Sequence, residues 1–502
     1  MHDKTPAPPR SARPSSTRPD GRPCRTPEGT PPQGAPAGQP AVGANRRAGV
    51  QDARQAALRL LEGVLGQHRP LIELTAQAGL LAPLDPPQRA EAQRLALACL
   101  RRLGPVDAAL APLLRRSPEP ALRAILRLAA SEIATAPEAA HAAVHAAVEI
   151  ARSLPGGAGK TGFVNAVLRK LAGGADLRAL PPQRLPPTLR QPMLAAWGEA
   201  AVAACEAVHA DDAVPLDITL RDARRASEWA AQLDATILPT GSLRRARAGQ
   251  VSALPGHAEG AWWVQDAAAA LPVHCLAQAV GDTAGPAAGA AAGSVPDGPA
   301  APWPGSGAML RGLRVLDMCA APGGKTLQLA ALGAEVTALD ASAPRMQRLA
   351  ENLARTGLRA RCVTADALEW QPDGPFDAIV LDAPCSASGT IRRHPDLPFL
   401  RSAQEIAALV ALQSRLIDRA AAWMRPGGWL VYATCSVLPA EGEAQIAGAL
   451  GRIAGLRAQP LALPPGLPPE ARTPEGALRI LPMHWAGRGG IDGFFIAALR
   501  LA

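Results

Sequence analysis

Between residues 49 and 172 apolar side chains recur at helical spacing. The stretch A-R-Q-A-A-L-R-L-L-E-G-V-L opens the series, 87–103, 106–116, 119–134 and 140–153 continue it, and F-V-N-A-V-L-R-K-L (163–171) closes it. That period predicts a compact all-helical domain. From residue 308 onward the pattern changes to short apolar runs that end in an acid: L-R-V-L-D (313–317), V-T-A-L-D (336–340), C-V-T-A-D (362–366) and F-D-A-I-V-L-D (376–382). A long helix is expected over 403–424, a turn and fifth strand over 425–436, a further helix over 439–454, and an edge strand in F-F-I-A-A-L (494–499). Strands alternating with helices predict a Rossmann-like α/β fold, a parallel sheet finished by a late hairpin.

Between these two parts, residues 173–280 carry several prolines, a helical stretch at 191–209, a strand-like L-D-I-T-L-R (216–221) and W-W-V-Q-D-A-A-A-A-L-P (262–272). They predict a mixed connecting subdomain. Residues 1–48, rich in Pro, Ser, Gly and Arg, predict a disordered basic tail. Residues 281–307, nearly all Ala, Gly, Pro and Ser, predict a flexible insertion.

Composition narrows the class. The 502 residues are 48% apolar, enough for sizeable cores, and a net charge of +9 favours an acidic partner, nucleic acid before membrane. No signal peptide and no apolar run of about 18 residues is present, so a cytoplasmic protein is expected. Eight scattered cysteines without a C-x-x-C pair argue against a zinc knuckle or a disulfide framework. His141 and His145 lie four apart on one helix but lack a third ligand, so no metal site is expected.

The first strand leads into D-M-C-A-A-P-G-G-K-T (317–326). A phosphate-cradling loop would need Gly where Cys319 stands, and the dinucleotide fingerprint fails because Gly323 and Gly324 are adjacent. Asp340, about 20 residues on, is placed to accept from ribose hydroxyls. A single strand-end Asp is often a cap or a turn residue, but Asp317, Asp340, Asp366 and Asp382 follow successive strands. The reading that remains is S-adenosylmethionine.

Two cysteines follow two strand ends, in D-A-P-C-S (382–386) and A-T-C-S (433–436), on the face where a cofactor binds. Cytosine is a poor nucleophile at carbon 5. A thiolate adding to carbon 6 makes carbon 5 enamine-like, able to attack a methyl sulfonium, and loss of the carbon-5 proton then expels the thiol. Asp382 is placed to act at the ring edge. Lys325 is one of only four lysines in the chain, which points to a need for a compact, titratable ammonium. Spacing does not rank Cys385 against Cys435. Aromatics are scarce at 3%, so stacking platforms are few, and Arg392, Arg393 and His394 in the following loop are candidates for phosphate or base contact.

These strings, with Y-A-T-C-S-V-L-P-A-E-G-E and D-G-F-F-I-A, resemble the NOL/NOP2/Sun class of RNA 5-methylcytosine methyltransferases. The helical domain resembles the NusB-like domain of that class's RsmB (Sun/Fmu) branch, whose substrate is small-subunit ribosomal RNA. The resemblance implies that Cys319, Ala320, Ala321, Pro322, Gly323, Gly324, Lys325, Asp340, Asp366 and Asp382 contact S-adenosylmethionine. It also implies that Cys435 is the nucleophile and that Cys385 assists product release, with Asp382 and Lys325 beside them. A monomer is expected. The tail and the 281–307 insertion are not part of the family pattern. The same chemistry on transfer RNA or another ribosomal site, a DNA cytosine methyltransferase, and an idle RNA-binding assembly factor are the alternatives.

Overall fold

The strands of the carboxyl-terminal half place successive side chains on opposite faces of one sheet, and each face has its own helices. In the computed structural model, which describes residues 42–76, 79–174, 177–283 and 310–502, the chain begins with seven helices. They are α1 (Val42–Leu65), α2 (Leu71–Leu74), α3 (Pro86–Arg101), α4 (Leu103–Leu110), α5 (Pro120–Thr135), α6 (Ala140–Ser153) and α7 (Thr161–Gly174). The helix expected over 106–116 stops at Leu110 and tightens into a 3-10 turn over Ala111–Leu113, where Pro112 cannot continue the hydrogen-bond ladder. Helix α1 reaches back to Val42, so the last residues of the expected tail are helical; residues 1–41 and 284–309 lie outside the described residues.

Helix α8 (Pro187–Ala210) is broken at Gly198, where φ is +76°. A small antiparallel sheet follows, built from β1 (Leu216–Leu220), β2 (Thr236–Ile237), β3 (Leu243–Arg245) and β4 (Trp262–Val264) in the order β2-β3-β1-β4, with α9 (Ala226–Gln232) between β1 and β2. Helix α10 (Ala267–Thr283) leaves it, crosses the expected boundary at residue 280, and lies on the large sheet.

That sheet contains β5 (Arg314–Met318), β6 (Glu335–Asp340), β7 (Arg361–Thr364), β8 (Phe376–Asp382), β9 (Met424–Thr434), β10 (Leu456–Gln459), β11 (Leu478–Ile480) and β12 (Phe494–Leu501). Helices α11 (Gly324–Ala331), α12 (Ala343–Thr356), α13 (Ala403–Trp423) and α14 (Glu443–Arg452) connect them. The order is β10-β12-β9-β8-β5-β6-β7; β5 to β9 are parallel, and β12 runs antiparallel to β9. One face buries Val315, Val380, Val431 and Ile496 under Leu271 and Leu276 of α10 and Leu329 of α11. Their neighbours Leu316, Leu381, Tyr432 and Ala497 face Leu416 and Ile417 of α13 and Ile446 of α14.

The expected edge strand 494–499 is an interior one. One side of β12 pairs with β9 and the other with β11 and then β10, which is why its six apolar residues run without alternation. Arg47–Ala502 form one compact unit. Within it Leu71 N–H donates to Asp396 Oδ2 at 2.8 Å, and Phe399 and Leu400 join the core of the first helices. No helix among the described residues is long and apolar enough to cross a membrane.

Candidate active site

After β5 the chain turns to β6 and β7, then returns to the other side of β5 for β8. The crevice at the carboxyl ends of β5 and β8 is therefore the place where the strand order reverses. The turn 319–324 lies there. Gly323 has φ +109°, and a Cβ at that position would come 2.8 Å from Leu349 Cγ, so only glycine lets α12 pack this close to the turn. Asp340, at the end of β6, holds the turn: its Oδ2 accepts from Ala321 N–H at 3.1 Å, and its Oδ1 accepts from Ser342 N–H at 2.9 Å. Arg345 Nη1 lies 3.6 Å from Oδ2, and Oδ1 keeps a further lone pair. Asp366 is exposed beyond β7 and caps Leu368 N–H through Oδ1.

Asp317 differs from the other three acids. It is fully buried within β5, Thr326 Oγ1 donates to its Oδ2, and its Oδ1 has no partner among the described residues. Burial pushes its carboxyl up to about 7. An orphaned buried oxygen, an open glycine turn and carboxylates with spare lone pairs fit a bound group that brings an ammonium and sugar hydroxyls.

On the β8 side, the Lys325 ammonium donates to Asp382 Oδ2 at 2.7 Å and lies 5.4 Å from the centre of the Phe494 ring. Lys325 comes from the first turn of α11 and Asp382 from the last position of β8, so the pair bridges the crevice. The next residue, Ala383, donates its N–H to the carbonyl of Ala433 at 2.9 Å, which sets the ends of β8 and β9 side by side. That pairing brings Cys385 Sγ and Cys435 Sγ to 3.4 Å, as free thiols. Cys385 is buried and Cys435 half-buried. The hydrogen bond with Cys435, and then burial, push the Cys385 thiol well above its ordinary range, so Cys385 holds its proton.

The model of the 16S rRNA methyltransferase RsmB/F family matches residues 310–500, and that of the NusB family matches residues 51–173. The chain is 36% identical over 470 residues to the ribosomal RNA small subunit methyltransferase B of Xanthomonas campestris pathovar campestris, spanning 89% of this chain and 97% of that protein. It is 34% identical over 469 residues to the protein of the same name in Pseudomonas putida, spanning 89% and 98%. The chain belongs to the RsmB/F methyltransferase family. A solved structure of the protein PH0851 shares the fold, with a TM-score of 0.63 at 21% identity over 90% of this chain and 98% of that one. A NusB-type helical domain thus precedes a Rossmann-like methyltransferase domain.

The loop after Cys385 corrects one expectation for this RsmB/F chain. Arg392 is 1% exposed and forms ion pairs with Asp492 at 3.0 Å and with Asp266, while its carbonyl accepts from Arg101. It is an internal strut and does not reach RNA. Arg393 also pairs with Asp492. Burial pushes the His394 imidazole down to about 4, leaving it neutral near pH 7 and without the charge a phosphate would seek. The sequence offered no signal for this, because Asp266 and Asp492 lie 126 and 100 residues from Arg392. Nor did it single out Glu441, a fully buried carboxylate beneath both cysteines. His141 and His145 are exposed on α6, and no cluster of metal-ligating side chains occurs among the described residues.

Proposed function

We propose that this chain transfers the methyl group of S-adenosylmethionine to carbon 5 of a cytosine in small-subunit ribosomal RNA, through a covalent adduct between Cys435 and carbon 6 of the base. The observation that carries the reading is the pair of thiols 3.4 Å apart at the ends of two adjacent parallel strands, with the Lys325–Asp382 pair at the end of one of them. When bound, S-adenosylmethionine supplies an electrophilic methyl group. Cys319, Ala320, Ala321, Pro322, Gly323, Gly324 and Lys325 would hold it together with Asp340, Asp366 and Asp382.

The Cys435 thiolate bonds to carbon 6, the ring double bond shifts its electron pair, and carbon 5 becomes the nucleophile. Asp382, held by Lys325, acts at the ring edge. After methyl transfer the carbon-5 proton leaves to a base, the double bond re-forms, and the carbon–sulfur bond breaks to return the thiolate. Cys385 keeps its proton beside Cys435, which supports Cys385 as the member of the pair that assists release.

Residues 49–172 serve RNA binding in this reading, 173–280 connect, and 308–502 carry the chemistry, in a monomer working in the cytoplasm. Support comes from a groove of about 800 Å³ on the helical domain, lined by Arg115, Arg116, Lys160, Phe163 and Lys170 among others. Arg115, Arg116 and Lys170 have no ion-pair partner among the described residues, and Phe163 is 40% exposed. Unpaired cations beside an open aromatic ring suit phosphates and an unstacked base.

The test uses Cys385→Ser and Cys435→Ser proteins with small-subunit ribosomal RNA and S-adenosylmethionine on a denaturing gel. Cys385→Ser should accumulate a protein–RNA adduct, and Cys435→Ser should give none and no methylation. The opposite pattern would make Cys385 the nucleophile.

A further inference from the structure

Beneath the two thiols lies a carboxylate that the mechanism above does not use. Glu441 is fully buried at the end of a short 3-10 turn, and no basic side chain pairs with it among the described residues. Its partners are neutral donors from both cysteine loops. Ser386, the residue after Cys385, gives its N–H at 2.8 Å and its hydroxyl; Ser436, the residue after Cys435, gives its hydroxyl at 2.6 Å. Gln413 of α13 adds its side-chain amide at 3.1 Å. Four donors converge on two oxygens.

The rest of the cluster is already committed. The Ser436 hydroxyl accepts from Leu438 N–H at 3.0 Å, and Ser388 lies 3.1 Å from it while accepting from Val437 N–H. The Glu441 carbonyl takes the Tyr432 hydroxyl at 2.8 Å and the Thr434 hydroxyl at 3.2 Å, which fixes the turn to β9 itself. Neither serine can rotate to a new partner without abandoning a main-chain donor.

We propose that Glu441 is a positioning residue that clamps the Cys385 and Cys435 loops to one another and so sets the separation of the two thiols. Its role in turnover rests on the two-cysteine reading above; the clamp itself does not. The negative charge works in the same direction as the geometry, because Glu441 is among the groups that hold the Cys385 thiol protonated, after the Cys435 hydrogen bond and burial. In Glu441→Gln an amide NH2 must face either the two hydroxyls or the Ser386 and Gln413 donors, and the loops lose their common acceptor.

The experiment reads the clamp without RNA. Apo-protein is treated with diamide, which takes two electrons and two protons from the thiol pair to form a disulfide. The rate at which peptides containing Cys385 and Cys435 become linked is followed by mass spectrometry. Wild type should link quickly, and Glu441→Gln at least about tenfold more slowly, because disulfide formation demands close and specific geometry. With RNA, kcat should fall about 100-fold while the KM for RNA and the affinity for S-adenosylmethionine stay near wild type. Ser436→Ala, which removes one leg of the clamp, should move linking and kcat in the same direction by less, and it decides the matter if Glu441→Gln does not fold. Unchanged linking in a folded variant overturns the proposal, as does a loss of turnover matched by lost S-adenosylmethionine binding. A wild type that links its thiols but never methylates RNA would sink the functional reading and leave the clamp standing.

Discussion

Two sets of cations in this molecule have opposite fates. Arg392 and Arg393 follow Cys385 in the sequence and lie where RNA contact is expected, yet Asp266 and Asp492 pair with them from inside the fold. Arg115, Arg116 and Lys170, from two stretches of the helical domain, line an open groove with no ion-pair partner among the described residues. A basic residue is available to a polyanion only when the fold supplies no acid of its own. Position along the chain says little about that, and burial says almost everything. The first set should therefore govern stability and the second RNA affinity.

The largest effect should come from Arg392→Met. It leaves Asp266 buried without its guanidinium partner and Asp492 with Arg393 alone, and breaking such a buried pair costs about 3–5 kcal/mol. Denaturant unfolding should show a loss of that order, and an unchanged midpoint together with weaker RNA binding would reverse the comparison. Next is the combined Arg115→Ala, Arg116→Ala and Lys170→Ala variant. Its unfolding midpoint should hardly move, while the slope of log affinity against log salt for single-stranded RNA should fall by about 2, at roughly 0.7 per lost phosphate contact. An unchanged slope would remove the groove from the RNA surface. The smallest effect concerns pH. His394, in the neutralised loop, and His209, buried with both ring nitrogens unpartnered among the described residues, have folded-state values near 4 and 3, below the ordinary 6.5. The unfolded chain takes up more protons in that window, so their contribution is whole above pH 6.5 and drains away as pH falls toward 4. Urea midpoints at pH 7.5 and 5 should differ less in His394→Asn than in wild type.

The parts of the fold that were legible in the sequence are those written in short, local strings. The acids after β5, β6, β7 and β8 and the turn at 319–324 could be read because strand, turn and helix lie within about thirty residues of one another. Cys385 and Cys435 could be assigned to one cleft because parallel strands end on the same side. Neighbours far apart in the chain left no such trace. The run 494–499 reads as a strand, but only the pairing with β9, β10 and β11 shows that both its edges are occupied. Arg392 carried no mark of burial, and Asp317 none of the unpartnered oxygen that separates it from Asp340. Glu441 stood inside the string A-T-C-S-V-L-P-A-E-G-E with nothing to distinguish it from a surface acid.

At Gly389 the main chain after Cys385 touches the turn before β12: a Cβ there would fall 1.9 Å from the carbonyl of Gly493, and the two glycines exchange a hydrogen bond at 2.8 Å. The same loop is fastened to Leu71, 325 residues away in the chain, and to Arg101, 291 residues away. Contacts of such range close last when a chain collapses, because long loops must be drawn in before they are rewarded. The loop after Cys385 is then among the last parts of the fold to settle: pairing of β8 with β9 can set the thiols side by side while that loop is still loose. An immature chain would hold its turn at 319–324 before the Cys385 loop is fastened to the helical domain.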